Sequence, residues 1–197
     1  MGGTTSFAST DVRPCATRGR ADRLAVEVSD LQAVVVYDSV YGNTEWVARA
    51  IADGLKQHYT VRMVRATAVD LADLKEVDLL VVGAPTQRHQ ASPAMQKFLD
   101  GIPRRSLRGV SAVAFDTRYR MALFFSGSAA IEISRRLKHA GAAMVDEPQS
   151  FFMEPDRLGG NGRKHDKELL ASGELERAQS WAASLAAPAG RVPVTRT

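Results

Sequence analysis

Short apolar runs alternate along this chain with longer stretches in which apolar positions recur every three or four residues. Residues 33–37 (AVVVY) are β-branched and apolar on both faces, the pattern of a buried strand. From Thr44 to about His58, the positions Val47, Ala50, Ile51, Gly54 and Leu55 line up as one stripe and predict a helix. Residues 60–65 alternate and predict a second, less buried strand, and Asp70 is placed to cap a short helical stretch over 71–76. Residues 79–83 (LLVVG) are apolar on both faces, as a central parallel strand should be.

The remaining pattern repeats the alternation. Residues 84–91 read as a loop, and Ser92-Pro93 as the N-cap and first position of a helix reaching Leu99. Residues 111–115 form the fourth strand, followed by a loop from Asp116 that contains Tyr119. Ser128 caps a helix that runs to about Ala140 and is ended by Gly141. Residues 143–145 and 150–153 supply a fifth strand with an interruption at Pro148. A polar loop over 155–172 precedes a last helix over 173–185, with Leu175, Ala178, Trp181, Ala182 and Leu185 on one face. Five strands alternating with helices predict an α/β fold, a doubly wound five-stranded parallel sheet covered on both faces. Ligands of such sheets bind beyond the carboxyl ends of the strands, where the strand order reverses.

Composition narrows the class without changing this picture. The 197 residues fit one domain over 31–186, with a disordered extension at 1–30 and a frayed tail at 187–197. No apolar run approaches the roughly 18 residues that cross a bilayer, so no membrane is expected. The single cysteine, Cys15, excludes an internal disulfide and a CxxC pair, and a reducing cytoplasmic setting is the expectation. Net charge is +4, spread evenly: residues 31–185 hold 20 Lys/Arg against 18 Asp/Glu. A nucleic-acid partner would call for cations concentrated on one segment, and none is expected. The four histidines show no spacing that suggests a metal.

The candidate chemistry sits where the first strand meets the first helix, in Asp38-Ser39-Val40-Tyr41-Gly42-Asn43-Thr44. Strand, hydroxyl-bearing glycine turn and helix start make a phosphate-holding arrangement, because free N–H groups and the helix dipole point at the anion. A dinucleotide site wants G-x-G-x-x-G here, and a P-loop wants G-x-x-x-x-G-K-[ST]; neither is present. A phospho-receiver wants an aspartate at the end of the third strand, where Gly83 and Ala84 stand.

The segment Val35-Val36-Tyr37-x-Ser39-x-x-Gly42-x-Thr44-x-x-x-Ala48-x-x-Ile51 resembles the FMN phosphate signature of the flavodoxin family. Gly83-Ala84-Pro85-Thr86 with Ser92, Met95 and Phe98-Leu99-Asp100 is similar to that family's third-strand loop and following helix. Phe115-Asp116-Thr117-Arg118-Tyr119 stands where the second flavin-contacting loop belongs. The likeness covers about 32–186 and implies a flavodoxin-like sheet of order 2-1-3-4-5. It also implies FMN as cofactor, with Ser39, Val40, Tyr41, Gly42, Asn43 and Thr44 cradling its phosphate. Pro85, Thr86, Gln87 and Arg88 would contact the ribityl chain or ring edge. Asp116, Thr117 and Arg118 would line the second loop, and Tyr119 would stack on the ring.

Two departures from the family pattern bear on function. The stretch Thr86-Gln87-Arg88-His89-Gln90-Ala91 has no aromatic residue to cover the flavin, and the domain is near neutral where many flavodoxins are acidic. Arg88, Arg118 and Arg120 in the flavin loops would favour an anionic reduced flavin and make its potential less negative than in acidic relatives. Three readings follow: an FMN electron carrier serving a redox partner protein, an NAD(P)H-dependent quinone-type reductase with an open flavin face, or a fold that has lost FMN and acts as an interaction module. Arg104, Arg105 and Arg108 read as a solvated connector, with an acidic partner as the other option.

Overall fold

Strand β1 (Gln32–Tyr37) lies inside the sheet, and its last five residues are buried. The computed structural model of the chain describes residues 1–2, 31–120, 127–154 and 170–185. β1 pairs in parallel with β2 (Thr60–Arg65) on one side and β3 (Leu79–Gln87) on the other. β3 carries a two-residue antiparallel strand, β4 (Gln90–Ala91), and pairs in parallel with β5 (Ser111–Tyr119). Along the outer side of β5 lie β6 (Ala143–Met144) and then β7 (Gln149–Met153), both parallel to it. The expected order 2-1-3-4-5 is therefore present, with the fifth strand in two pieces around Pro148.

Among the described residues four helices cover the sheet: α1 (Asn43–Leu55), α2 (Pro93–Gly101), α3 (Ala129–His139) and α4 (Glu174–Ser184). Alternation along the strands sorts the core into two layers. Val35, Val81, Val113, Phe115 and Phe151 meet Val47, Ile51 and Leu55 of α1 and Ala178 and Ala182 of α4. Val34, Val36, Leu80, Val82, Ala112 and Ala114 meet Met95 and Phe98 of α2 and Ile133 and Leu137 of α3. Each buried Val or Leu is worth about 1.5–3 kcal/mol against exposure. Gly54 lets α1 and α4 approach closely, since a Cβ there would stand 2.2 Å from the Gln179 carbonyl oxygen.

Helix starts follow the expected chemistry. The Ser92 hydroxyl accepts from Met95 N ahead of Pro93, the Ser128 hydroxyl accepts from Ile131 N, and Asp70 accepts from Ala72 N. The stretch Leu71–Glu76 that Asp70 caps is a 3₁₀ helix.

Two expected loops are instead strand. β3 runs four residues past Gly83 and turns back into β4, and β5 runs four residues past Phe115. The register continues through Ala84↔Asp116 and Pro85↔Thr117. These strand ends are polar, so the hydrophobic pattern stops before the pairing does. At the outer edge of β7 the backbone is closed by α4 and the residues before it. Glu174 Oε2 accepts from Phe152 N at 3.1 Å, Arg177 donates to the Ser150 carbonyl, and Ala171 N donates to the Phe152 carbonyl.

The extension expected at 1–30 (apart from residues 1–2) and the tail at 187–197 fall outside the described residues, as do Cys15, His165 and most of the 155–172 loop. Among the described residues no helix is long and apolar enough to cross a membrane, and no His/Cys/Asp/Glu group could hold a metal ion.

Candidate functional site

The strand order reverses between β1 and β3, so the crevice beyond their carboxyl ends is bounded by residues 38–44, the β3–β4 turn and the end of β5. Asp38 N donates to the Gly83 carbonyl at 3.1 Å, and the Asp38 carboxylate accepts from the Ser92 hydroxyl. These two bonds fasten the start of the loop to β3 and to α2.

Ser39 then folds the loop on itself. Its Oγ accepts from Gly42 N at 3.1 Å and Glu45 N at 3.3 Å, leaving the hydroxyl hydrogen to donate outward. Gly42 stands at the α1 N-cap with φ +93°, a conformation that favours glycine, and it supplies no side-chain cap. Among the described residues nothing accepts from the N–H groups of Asn43 and Thr44. Asn43 is 5% exposed and its Oδ1 has no hydrogen-bond partner. Thr44 is buried and its Oγ1 meets Thr117 Oγ1 of β5 at 2.7 Å. Val40 and Tyr41 are exposed. Free backbone donors, a donor hydroxyl and the positive end of a 13-residue helix fit a phosphomonoester.

Glu45 in the first turn of α1 would oppose an anion, but it is neutralised. Arg49 Nη2 bonds Oε1 at 2.7 Å, and Arg65 Nη2, from the end of β2, bonds Oε2 at 2.6 Å. The Arg49 hydrogen bond, with the charge of Arg65, holds the Glu45 carboxyl below the usual range. The spacing of Glu45 and Arg49 could have been read from sequence as a helix pair; Arg65 could not.

At the end of β3, Pro85, Thr86 and Gln87 are half-buried, while Arg88 and His89 are exposed. Thr86↔Ala91 and Gln87↔Gln90 pair, so Arg88 and His89 alone make the turn, with φ +47° and +73°. Both are left-handed, as a type I′ hairpin requires, without a glycine at either position. His89 bridges to Gly127, where a Cβ would lie 2.5 Å from the His89 Cα.

Asp116 joins the remaining parts. It is fully buried, and its Oδ2 accepts from Thr86 Oγ1 (2.9 Å), Ser128 Oγ (2.6 Å) and Ala130 N (3.1 Å). Thr86 Oγ1 in turn accepts from Ala129 N at 2.9 Å. Asp116 Oδ1 has no hydrogen-bond partner and lies 3.9 Å from Arg118 Nε. Arg118 is 8% exposed and donates to Ser150 Oγ of β7 at 3.0 Å, so it is not the open cation that the sequence suggests. Thr117 is buried, and Tyr119 is 45% exposed at the strand end. The structure thus brings 39–44, 85–88 and 116–119 to one end of the sheet. An apolar cleft of about 400 Å³ between Leu71–Leu74 and Ile102–Leu107 lies at the opposite end, where β3 and β5 begin.

A family model described as Flavodoxin matches residues 35–173. A flavodoxin from Clostridium saccharobutylicum is 33% identical over 85 residues, 42% of this chain and 53% of that protein. The match therefore spans about half that flavodoxin's length. An NAD(P)H dehydrogenase (quinone) from Azorhizobium caulinodans is 28% identical over 178 residues, 76% of this chain and 87% of that protein. The solved structure of oxidised Flavodoxin 1 from Bacillus cereus superposes with a TM-score of 0.62 at 20% identity, over 77% of this chain and 95% of that one.

Proposed function

Because the chain belongs to the flavodoxin family, we propose that it binds FMN in the crevice at the ends of β1, β3 and β5 and transfers electrons through it. The observation that carries this reading is the loop over Ser39–Thr44, where among the described residues nothing accepts from the Asn43 and Thr44 N–H groups and the loop itself holds no basic side chain. Bound there, FMN would supply one- or two-electron redox chemistry, while the protein sets its orientation and potential. Ser39 donates its hydroxyl hydrogen to the phosphate, Asn43 and Thr44 donate their N–H groups, and Gly42 keeps the backbone close. Thr86 and Asp116 hold the β3 and β5 rims together, which fixes the width of the crevice. A redox partner protein would dock at this end, and a cytoplasmic location suits the reading.

The experiment is the absorption spectrum and fluorescence of the full chain titrated with FMN. Quenched flavin fluorescence and shifted flavin bands are the expected result. A colourless protein without a thermal shift in excess FMN would reject the reading in favour of a cofactor-free interaction module.

One feature favours the reductase over the pure carrier. The turn beyond β3 holds Arg88 and His89 and no aromatic residue, so this turn brings no ring to stack where a nicotinamide or quinone would. The relative from Azorhizobium caulinodans, matched over most of its length, is named for that activity. Steady-state NADPH oxidation with a benzoquinone discriminates, since a carrier alone shows almost none.

A further inference from the structure

At the end of β5 and just beyond it stand two arginines, Arg118 and Arg120, two residues apart. Both guanidinium groups reach the ring of Phe152 on β7, at 5.0 and 4.6 Å from its centroid, and Arg177 of α4, which sits over the adjacent Phe151 at 4.4 Å, comes within 6.0 Å of the same ring. Among the described residues, Glu174 pairs with Arg177, and Asp116 lies 3.9 Å from Arg118. No carboxylate among the described residues pairs with Arg120. Arg118 is more than nine-tenths buried and fixed by Ser150. Like charges gathered around neighbouring rings repel, and the burial of Arg118 strengthens its share of that repulsion by lowering the local dielectric. Cations held together in spite of it are a preorganised receptor for an anion, and guanidinium forks match a phosphate.

The position separates this cluster from the Ser39–Thr44 loop. β5 and β7 lie two and three strands from β1, about 10–15 Å at the usual spacing. An anion bound at the arginines is therefore a second phosphate, not the one the β1 loop is shaped for. Tyr119, 45% exposed on the same strand end, offers an aromatic face to a base.

We propose that Arg118 and Arg120 on Phe152, with Arg177 on the adjacent Phe151, form a second anion site for the ribose 2′-phosphate of a nucleotide electron donor. The protein then prefers the 2′-phosphorylated nicotinamide dinucleotide to the unphosphorylated one. This inference rests on the reductase reading of the same crevice. The 2′-phosphate supplies the charge that Arg120 lacks, and a donor without it leaves Arg120 unpaired.

The test titrates adenosine 2′,5′-bisphosphate and 5′-AMP calorimetrically onto the FMN-loaded full chain. The bisphosphate is expected to bind about tenfold more tightly. Arg120→Gln brings it to the level of 5′-AMP, Arg120→Lys keeps part of the difference, and FMN affinity serves as the folding control. Arg177→Gln is the second variant, judged with its melting temperature because Arg177 also holds the Ser150 carbonyl. Equal binding of the two nucleotides, or an undiminished preference in Arg120→Gln, overturns the proposal. Oxidation of NADPH and NADH with a quinone is measured separately. Nucleotide preference without turnover keeps the anion site and rejects the reductase reading; turnover indifferent to the 2′-phosphate does the reverse.

Discussion

At the end of β1 the chain builds its candidate site from backbone, with a left-handed glycine, two free N–H groups and a helix axis. At the end of β5 it builds from side chains, with one buried carboxylate bonded to three donors and arginines stacked on a ring. The first arrangement asks for particular side chains at Ser39 and Thr44 and leaves others, as exposed Val40 and Tyr41 illustrate, turned to solvent. The second depends on each residue's identity and on contacts between segments far apart in sequence. An anchor for a constant phosphate can be made from backbone; selection among partners calls for side chains.

Substitutions at the two ends should therefore fail differently. Asp116→Ala strands the donors on Thr86, Ser128 and Ala130, and is expected to cost about 3 kcal/mol of stability in urea denaturation of the FMN-free protein. A cost under about 1 kcal/mol would show that Asp116 does not hold the β5 end together. Gly42→Ala meets open space, its Cβ no closer than 4.0 Å to Trp46 Nε1, so only the left-handed backbone resists it. The expected loss is about 1–2 kcal/mol, accompanied by weaker FMN binding. FMN affinity unchanged in that variant would detach the loop from the phosphate.

Two smaller effects sharpen the contrast. Arg88→Gly relieves a left-handed arginine at φ +47° and is expected to raise stability by about 0.5 kcal/mol while lowering NADPH oxidation. A gain in both would show that the turn is not held for function. Glu45→Gln removes the pairs with Arg49 and Arg65. Because folding lowers the Glu45 pKa, its contribution is complete above the ordinary glutamate value and fades as pH falls through the lowered one. The variant should melt slightly below the parent at neutral pH and together with it in acid. A difference that grows in acid contradicts the sign.

The local part of this architecture was readable from sequence, and the long-range part was not. Residues 33–55 carry strand, turn and helix in one stretch, and the reading of β1, the glycine turn and α1 needed only neighbours. The apolar stripe predicts α1 to about His58, and the helix ends three residues earlier, at Leu55. β3 and β5 were ended at Gly83 and Phe115 because their last residues are polar, and polar residues stay buried only when another strand supplies the partner. Thr44 and Thr117 are 73 residues apart, and only the register of β1, β3 and β5 brings their hydroxyls together. The Arg88-His89 turn was hidden because such turns are ordinarily signalled by Asn-Gly or Asp-Gly. Arg118 looked like an open cation, since nothing in its own segment indicates Ser150 or Phe152.

The closure of the β7 edge has a consequence for behaviour in a crowded solution. An open sheet has two rims, each a template on which another extended chain can grow. On the β7 side, Glu174, Arg177 and Ala171 already occupy the groups such a chain would need. On the β2 side, the rim carries the bulky charged side chains of exposed Arg62 and Arg65, the latter held in its ion pair with Glu45, and an added strand would have to accommodate both. The two rims are thus guarded by different means, the β7 rim by occupied backbone groups and the β2 rim by charged side chains.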